Sequence, residues 1–177
     1  MAAHLQLEQH ESAASLALVG LGANLGDARN TLLAAVLQLS QLPGVSGIRR
    51  SHLYQTAPLE AGGNDFINAV VELRTSLTAE DLLEHLLALE LVFGRERSFR
   101  NAPRTLDLDL LLYGHDDLWL EMQTNKLTLP HPRLHQRAFA LVPLLELRPD
   151  LHLGTRGPAV SYLNQVADQK IRRLPEA

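Results

Sequence analysis

Thr105–Gly114 reads TLDLDLLLYG, and its placement decides the fold. Leucine alternates with aspartate over its first half and runs unbroken over its second. That is the pattern of a strand half-buried at its start and covered on one or both faces toward its end. Asp107 and Asp109 sit two apart on it, so both carboxylates leave the same face, with α-carbons roughly 6 to 7 Å apart.

Upstream, Ser15–Gly22 (SLALVGLG) has strand composition, and Asn24 and Gly26 supply a tight turn. Leu32, Leu33, Val36, Leu39 and Leu42 then recur at helical spacing until Pro43 and Gly44 stop the helix. Residues near Ile48–Tyr54 and Phe66–Leu73 are β-rich, separated by a loop holding Pro58, Gly62 and Gly63 that is long for a hairpin turn. Thr78 can cap the next helix with Asp81 three residues on, and the periodic Leu82, Leu83, Leu86, Leu87 and Leu89 end near Gly94. With Thr105–Gly114 closing the series, the order is βαββαβ. It predicts an α+β, ferredoxin-like plait: an antiparallel sheet with both helices on one face and the other face open. Beyond it, His131–Glu146 should include a helix kinked at Pro143, and Ser161–Ile171 a last one, so additional C-terminal helices follow the plait. No internal repeat is present.

A chain of 177 residues with 46% hydrophobic content can bury one core, which predicts a flexible tail over 1–14 and a single domain over 15–177. Without cysteine, disulfides and thiolate metal sites are excluded. The polar, acidic N-terminal stretch lacks the basic start and apolar middle of a secretory signal, and no apolar run is long enough to span a bilayer. The expectation is a cytoplasmic protein with no membrane partner. A formal net charge of -4 argues against an extended nucleic-acid surface, though a local basic cluster can still hold a small anion.

Such a cluster lies directly before the aspartates. Arg95, Arg97, Arg100 and Arg104 fall in a loop with Gly94 and Pro103, too irregular for the solvated face of a helix. Guanidinium groups bind phosphate bidentately and stay charged at any relevant pH. Hard cations such as magnesium bind through one or two carboxylates plus substrate phosphates. An Asp-Leu-Asp pattern alone also suits a strand whose polar face meets water; arginines beside it favour a metal-held polyphosphate. His131 and His135 have zinc-compatible spacing for a helix, but Pro130 and Pro132 oppose a helix at His131, leaving a phosphate-contacting or structural histidine.

These residues, with GLGANLGD at Gly20–Asp27, YQTAPL at Tyr54–Leu59, FINAVVEL at Phe66–Leu73, LELVFGRER at Leu89–Arg97, PRTLDLDLLLYG at Pro103–Gly114, LTLPHPRL at Leu127–Leu134 and QRAFALVPLLEL at Gln136–Leu147, resemble the 6-hydroxymethyl-7,8-dihydropterin pyrophosphokinase family. The match runs from about Ala17 to Leu153. The resemblance implies a magnesium-dependent transferase of folate biosynthesis that moves the β,γ-diphosphate of ATP to the hydroxymethyl group of the pterin, with AMP released. It implies that Asp107 and Asp109 ligate two magnesium ions on ATP, Asp107 also lying near the pterin. Arg95, Arg97, Arg104, Lys126, Thr128, His131 and Arg137 would surround ATP, Arg95 and Arg97 having a catalytic part. Phe66 and Phe139 would sandwich the pterin, with Thr56, Leu59 and Asn68 completing its pocket. A monomer is expected. The chain departs from the family in Phe66 for a tyrosine, Ala57 for a proline, Lys126 for an arginine, and a shortened arginine loop with Asn101 where a tryptophan can stand. Two rivals stay open on the residues alone: a two-metal nucleotidyltransferase and a non-catalytic ligand-binding plait.

Overall fold

The computed structural model describes residues 14–58, 63–94, 105–116 and 118–176. Its elements are β1 (Ser15–Ala23), α1 (Ala28–Ser40), β2 (Val45–Arg50), β3 (Tyr54–Thr56), β4 (Phe66–Thr75), α2 (Ala79–Val92), β5 (Asp107–His115), β6 (Leu118–Trp119), β7 (Met122–Gln123), β8 (Thr128–Leu129), α3 (Ala138–Leu147) and β9 (Ile171–Arg173), with short 3-10 segments after β8 and α3.

Local signals explain most boundaries. Asp27 accepts the Asn30 N–H at 3.1 Å and caps α1; Thr78 accepts the Asp81 N–H at 3.1 Å and caps α2. Gly94, at φ +82, follows the last turn of α2, a backbone geometry other side chains resist. The single strand expected near Ile48–Tyr54 is two strands, because at Ser51 the ladder is half replaced: the Ser51 N–H still donates to Val70 O at 2.9 Å, but the Val70 N–H turns to the Ser51 Oγ at 3.0 Å.

The sheet runs β6-β5-β1-β4-β3-β9, with β2 also pairing β4, and every pairing is antiparallel. Both faces are buried along its middle. Ala17, Val19 and Leu21 of β1 pack with Leu32 and Leu39 of α1 and Leu82 and Leu86 of α2. Leu18, Val70 and Leu111 face the other way, onto Leu141 and Leu144 of α3. A register shift between Leu18 and Val19 leaves Leu111 as an extra residue, so Leu111 and Leu112 both enter the second core. Truncating any of these buried leucines to alanine should cost roughly 2–5 kcal/mol.

Two expectations need correction. The face opposite α1 and α2 is not open: α3 and the segments after it cover its middle, while the end with Gly20, Gly22, Asp107 and Asp109 stays half-exposed. The helix expected over Ser161–Ile171 is instead a 3-10 segment, Ala159–Val166, followed by strand β9. Ala159, Tyr162, Leu163 and Val166 dock on the second core at the three-to-four spacing that made a helix expected from the sequence. Ile171–Arg173 becomes a strand because β3 offers it an edge, a partner distant in sequence. Of the tail expected over 1–14, residues 1–13 lie outside the described residues.

Candidate active site

Strand register assembles the site. Gly22 pairs with Asn68 of β4 on one side and Asp107 of β5 on the other, and Gly20 pairs with Asp109. Phe66, Asn68, Asp107 and Asp109 therefore share the face that α3 covers farther along. The glycines keep the floor between them low. A Cβ on Gly22 would lie 3.1 Å from Asn68 Oδ1, and Asn68 in turn donates to Thr56 Oγ1 at 2.7 Å. The motif GLGANLGD contains Gly22, but its spacing does not show the constraint, which comes from two strands far away in the chain.

Asp107 and Asp109 line a cavity of about 470 Å³ together with Lys126, Thr128, His131 and Arg137. Leu83, Leu87 and Leu127 give it an apolar wall. The Arg137 guanidinium lies 3.7 Å from Asp109 Oδ2 and 5.5 Å over the Phe139 ring. Phe139 also packs against the second core. Thus six of the expected metal and nucleotide residues converge on one cavity, and Phe139 joins them through Arg137. Thr56 and Asn68 form a pair, Asn68 two strands and Thr56 three strands from Asp107. Lys126 is the outlier in quality: it reaches Glu84 at 3.5 Å with both side chains largely in water, a contact worth little. Leu59, Arg95, Arg97 and Arg104, like Arg100 and Asn101, lie outside the described residues.

His131 follows the cis Leu129–Pro130 peptide, and its N–H donates to Leu111 O at 2.8 Å. It is not helical, and His135 falls in a separate 3-10 turn. Burial, reinforced by the positive charges of Arg137 and Arg133 and opposed by Asp107, holds the His131 imidazole down at about 4. The ring is neutral near pH 7. Its Nδ1 accepts the Arg133 N–H at 3.2 Å, so the remaining proton sits on Nε2, available as an uncharged donor.

Behind the carboxylates, Glu90 of α2 is 1% exposed and accepts the Leu108 N–H at 2.8 Å. It grips β5 between the two aspartates from the helix that leads into the arginine stretch. A charged residue at a core-facing position of a leucine-rich helix was the available signal.

A family model described as 7,8-dihydro-6-hydroxymethylpterin-pyrophosphokinase matches residues 18–149. A Synechocystis protein named 2-amino-4-hydroxy-6-hydroxymethyldihydropteridine pyrophosphokinase is 42% identical over 152 residues, covering 86% of this chain and 76% of its own length. A Pseudomonas aeruginosa protein of the same name is 41% identical, covering 90% of this chain and 96% of its own. The crystal structure of wild-type Plasmodium falciparum HPPK-DHPS with SDX-DHP shares the fold at a TM-score of 0.63 and 14% identity, with 85% of this chain and 43% of that one superposed. The chain thus spans less than half of that solved structure. The family match over residues 18–149, with identities of 41–42% over most of the chain, makes it a member of the 7,8-dihydro-6-hydroxymethylpterin-pyrophosphokinase family.

Proposed function

We propose that the chain transfers the β,γ-diphosphate of ATP to the hydroxymethyl oxygen of 6-hydroxymethyl-7,8-dihydropterin, releasing AMP, as a magnesium-dependent step of folate biosynthesis. The observation that carries this reading is the convergence of Asp107, Asp109, Lys126, Thr128, His131 and Arg137 on one cavity in a chain of this family.

The donor set suits magnesium. Two carboxylates project from one strand face, and among the described residues no group of three or more His, Cys, Asp or Glu could cage an ion. A hard cation held by so few protein ligands completes its shell with phosphate oxygens and water. Asp107 and Asp109 would hold two such ions, which when bound neutralise charge on the triphosphate. Arg95, Arg97, Arg104 and Arg137 supply forked donors, Lys126 a point charge and Thr128 a hydroxyl, while neutral His131 donates from Nε2 without adding charge. Leu83, Leu87 and Leu127 offer the base an apolar surface. Phe66 and Phe139 hold the pterin faces, and Thr56, Asn68 and Leu59 meet its edges.

In the transfer, the hydroxymethyl oxygen bonds to the β-phosphorus as the bond to the α-side bridging oxygen breaks. AMP leaves and the alcohol proton is released. These residues accelerate the step by alignment and fixed charge rather than by a covalent intermediate. The β5-β1-β4-β2 strand order, with α1 and α2 on one face, supports assignment to the ferredoxin-like plait. We assign residues 15–177 to one catalytic domain, monomeric and cytoplasmic; no helix among the described residues is long and apolar enough to cross a membrane.

Incubation with ATP, magnesium and the pterin alcohol should yield AMP and a pterin diphosphate in equal amounts, and neither under chelator. ADP would make the chain an ordinary kinase, pyrophosphate a nucleotidyltransferase, and absence of product a binding module.

A further inference from the structure

The segment after Leu153 carries no recognisable signature, yet one of its side chains grips the backbone on both sides of Arg137. Gln169 follows the last 3-10 segment, its own N–H donating to Val166 O at 3.1 Å. Its Oε1 accepts the Ala138 N–H at 2.8 Å and its Nε2 donates to Gln136 O at 2.8 Å. These two backbone groups flank Arg137. The Arg137 side chain does not cap α3, so Gln169 satisfies the first N–H of that helix from outside.

The amide does more than cap. By holding the residue before and the residue after Arg137, it fixes the extended backbone of Arg137, at φ -126 and ψ 111. The side chain leaving that backbone lies 3.7 Å from Asp109 and over Phe139, the second residue of α3. The clamp needs one donor and one acceptor on one planar group, which an amide has and a carboxylate lacks. Gln169 is held in turn: two residues later Ile171 enters β9, opposite Thr56 of β3.

We infer that Gln169 is a positioning residue for the transfer, acting through the Arg137 backbone to aim the Arg137 guanidinium and the Phe139 ring. The inference rests on the function proposed above. Misplacing a phosphate-binding group by about 1 Å is enough to slow such a reaction severely.

A double-mutant cycle tests it. Gln169→Ala should lower kcat/KM for pterin diphosphate formation about tenfold, and Gln169→Glu, which keeps the acceptor but not the donor, by less. In an Arg137→Ala background the Gln169→Ala effect should shrink to within about twofold, since the residue it serves is gone. An equal loss in both backgrounds would make Gln169 a mere scaffold residue, and no loss in the native background would remove the role altogether. Failure of the functional reading is separate: it shows as no product from the native chain. Even then, hydrogen exchange at the Ala138 amide judges the clamp without substrate. Gln169→Ala should speed it at least about tenfold while β1 amides keep their rates, and unchanged exchange overturns the clamp.

Discussion

Arg137 and Asp109 join the two halves of the site: their side chains approach to 3.7 Å while the same guanidinium lies 5.5 Å over the Phe139 ring. One side chain thus touches a proposed metal carboxylate and a proposed pterin platform. Arg137→Ala should therefore lower kcat at least about a hundredfold, through loss of charge stabilisation. Arg137→Lys should recover little, because an ammonium neither forks nor stacks as a guanidinium does. Steady-state kinetics on both variants decide; a fully active lysine variant would reduce Arg137 to a counter-charge.

Asp107→Asn and Asp109→Asn should each cut turnover by at least about a hundredfold, because each removes anionic charge holding a divalent ion against the triphosphate. Melting temperature should change little, since both side chains sit at the half-exposed end of the sheet. Calorimetric titration with magnesium and a non-hydrolysable ATP analogue should show weaker binding in both. Native-like turnover at saturating magnesium in both variants would falsify the two-metal assignment.

Gly22→Ala adds a methyl 3.1 Å from Asn68 Oδ1, which pushes on the Asn68–Thr56 hydrogen bond rather than on the nucleotide cavity. The expected outcome is pterin affinity weaker by about 1–2 kcal/mol with ATP-analogue affinity unchanged, read by calorimetry with each ligand. Equal losses for both ligands would mean that the whole sheet had shifted.

Phe139→Ala should weaken pterin binding by roughly 1–3 kcal/mol. It should also lower the melting temperature, because part of the ring belongs to the second core. Phe139→Leu separates the roles: the aliphatic side chain restores packing but not the flat face, so stability should recover while pterin affinity does not. Recovery of both would make Phe139 ordinary core.

What was legible in the chain follows from the range of each interaction. Thr78 acts over three residues, so the start of α2 could be read from the sequence, as could the shared face of Asp107 and Asp109, which needs only a strand's two-residue period. Gly22, Glu90 and Ile171 take their meaning from partners on other elements: Asn68, Leu108 and Thr56. Their local patterns therefore read as a plain glycine, a helix charge and the end of a helix. The cover that α3 lays over the second face was hidden likewise, because an apolar helix does not declare which side of a sheet it will take.

His131 gives the remaining expectation, and its sign follows from linkage. Its imidazole is held at about 4 in the folded chain against an ordinary 6.5, so the unfolded chain binds the proton more readily. The folded state is therefore undisturbed above pH 6.5 and loses stability as pH falls from there toward 4. The gap would be worth about 3 kcal/mol in full, and roughly 1 kcal/mol is a better expectation once partial solvent access is discounted. For a domain of this size that is about 2–4 °C in Tm. His131→Gln cannot take up the proton, so between pH 6.5 and 4 its Tm should fall less steeply than that of the native chain. The two should differ by a constant offset above pH 7. Thermal scans across this range are the check: parallel curves would show that His131 is solvated and charges freely. It would then not be the neutral Nε2 donor assigned to the phosphate side of the cavity.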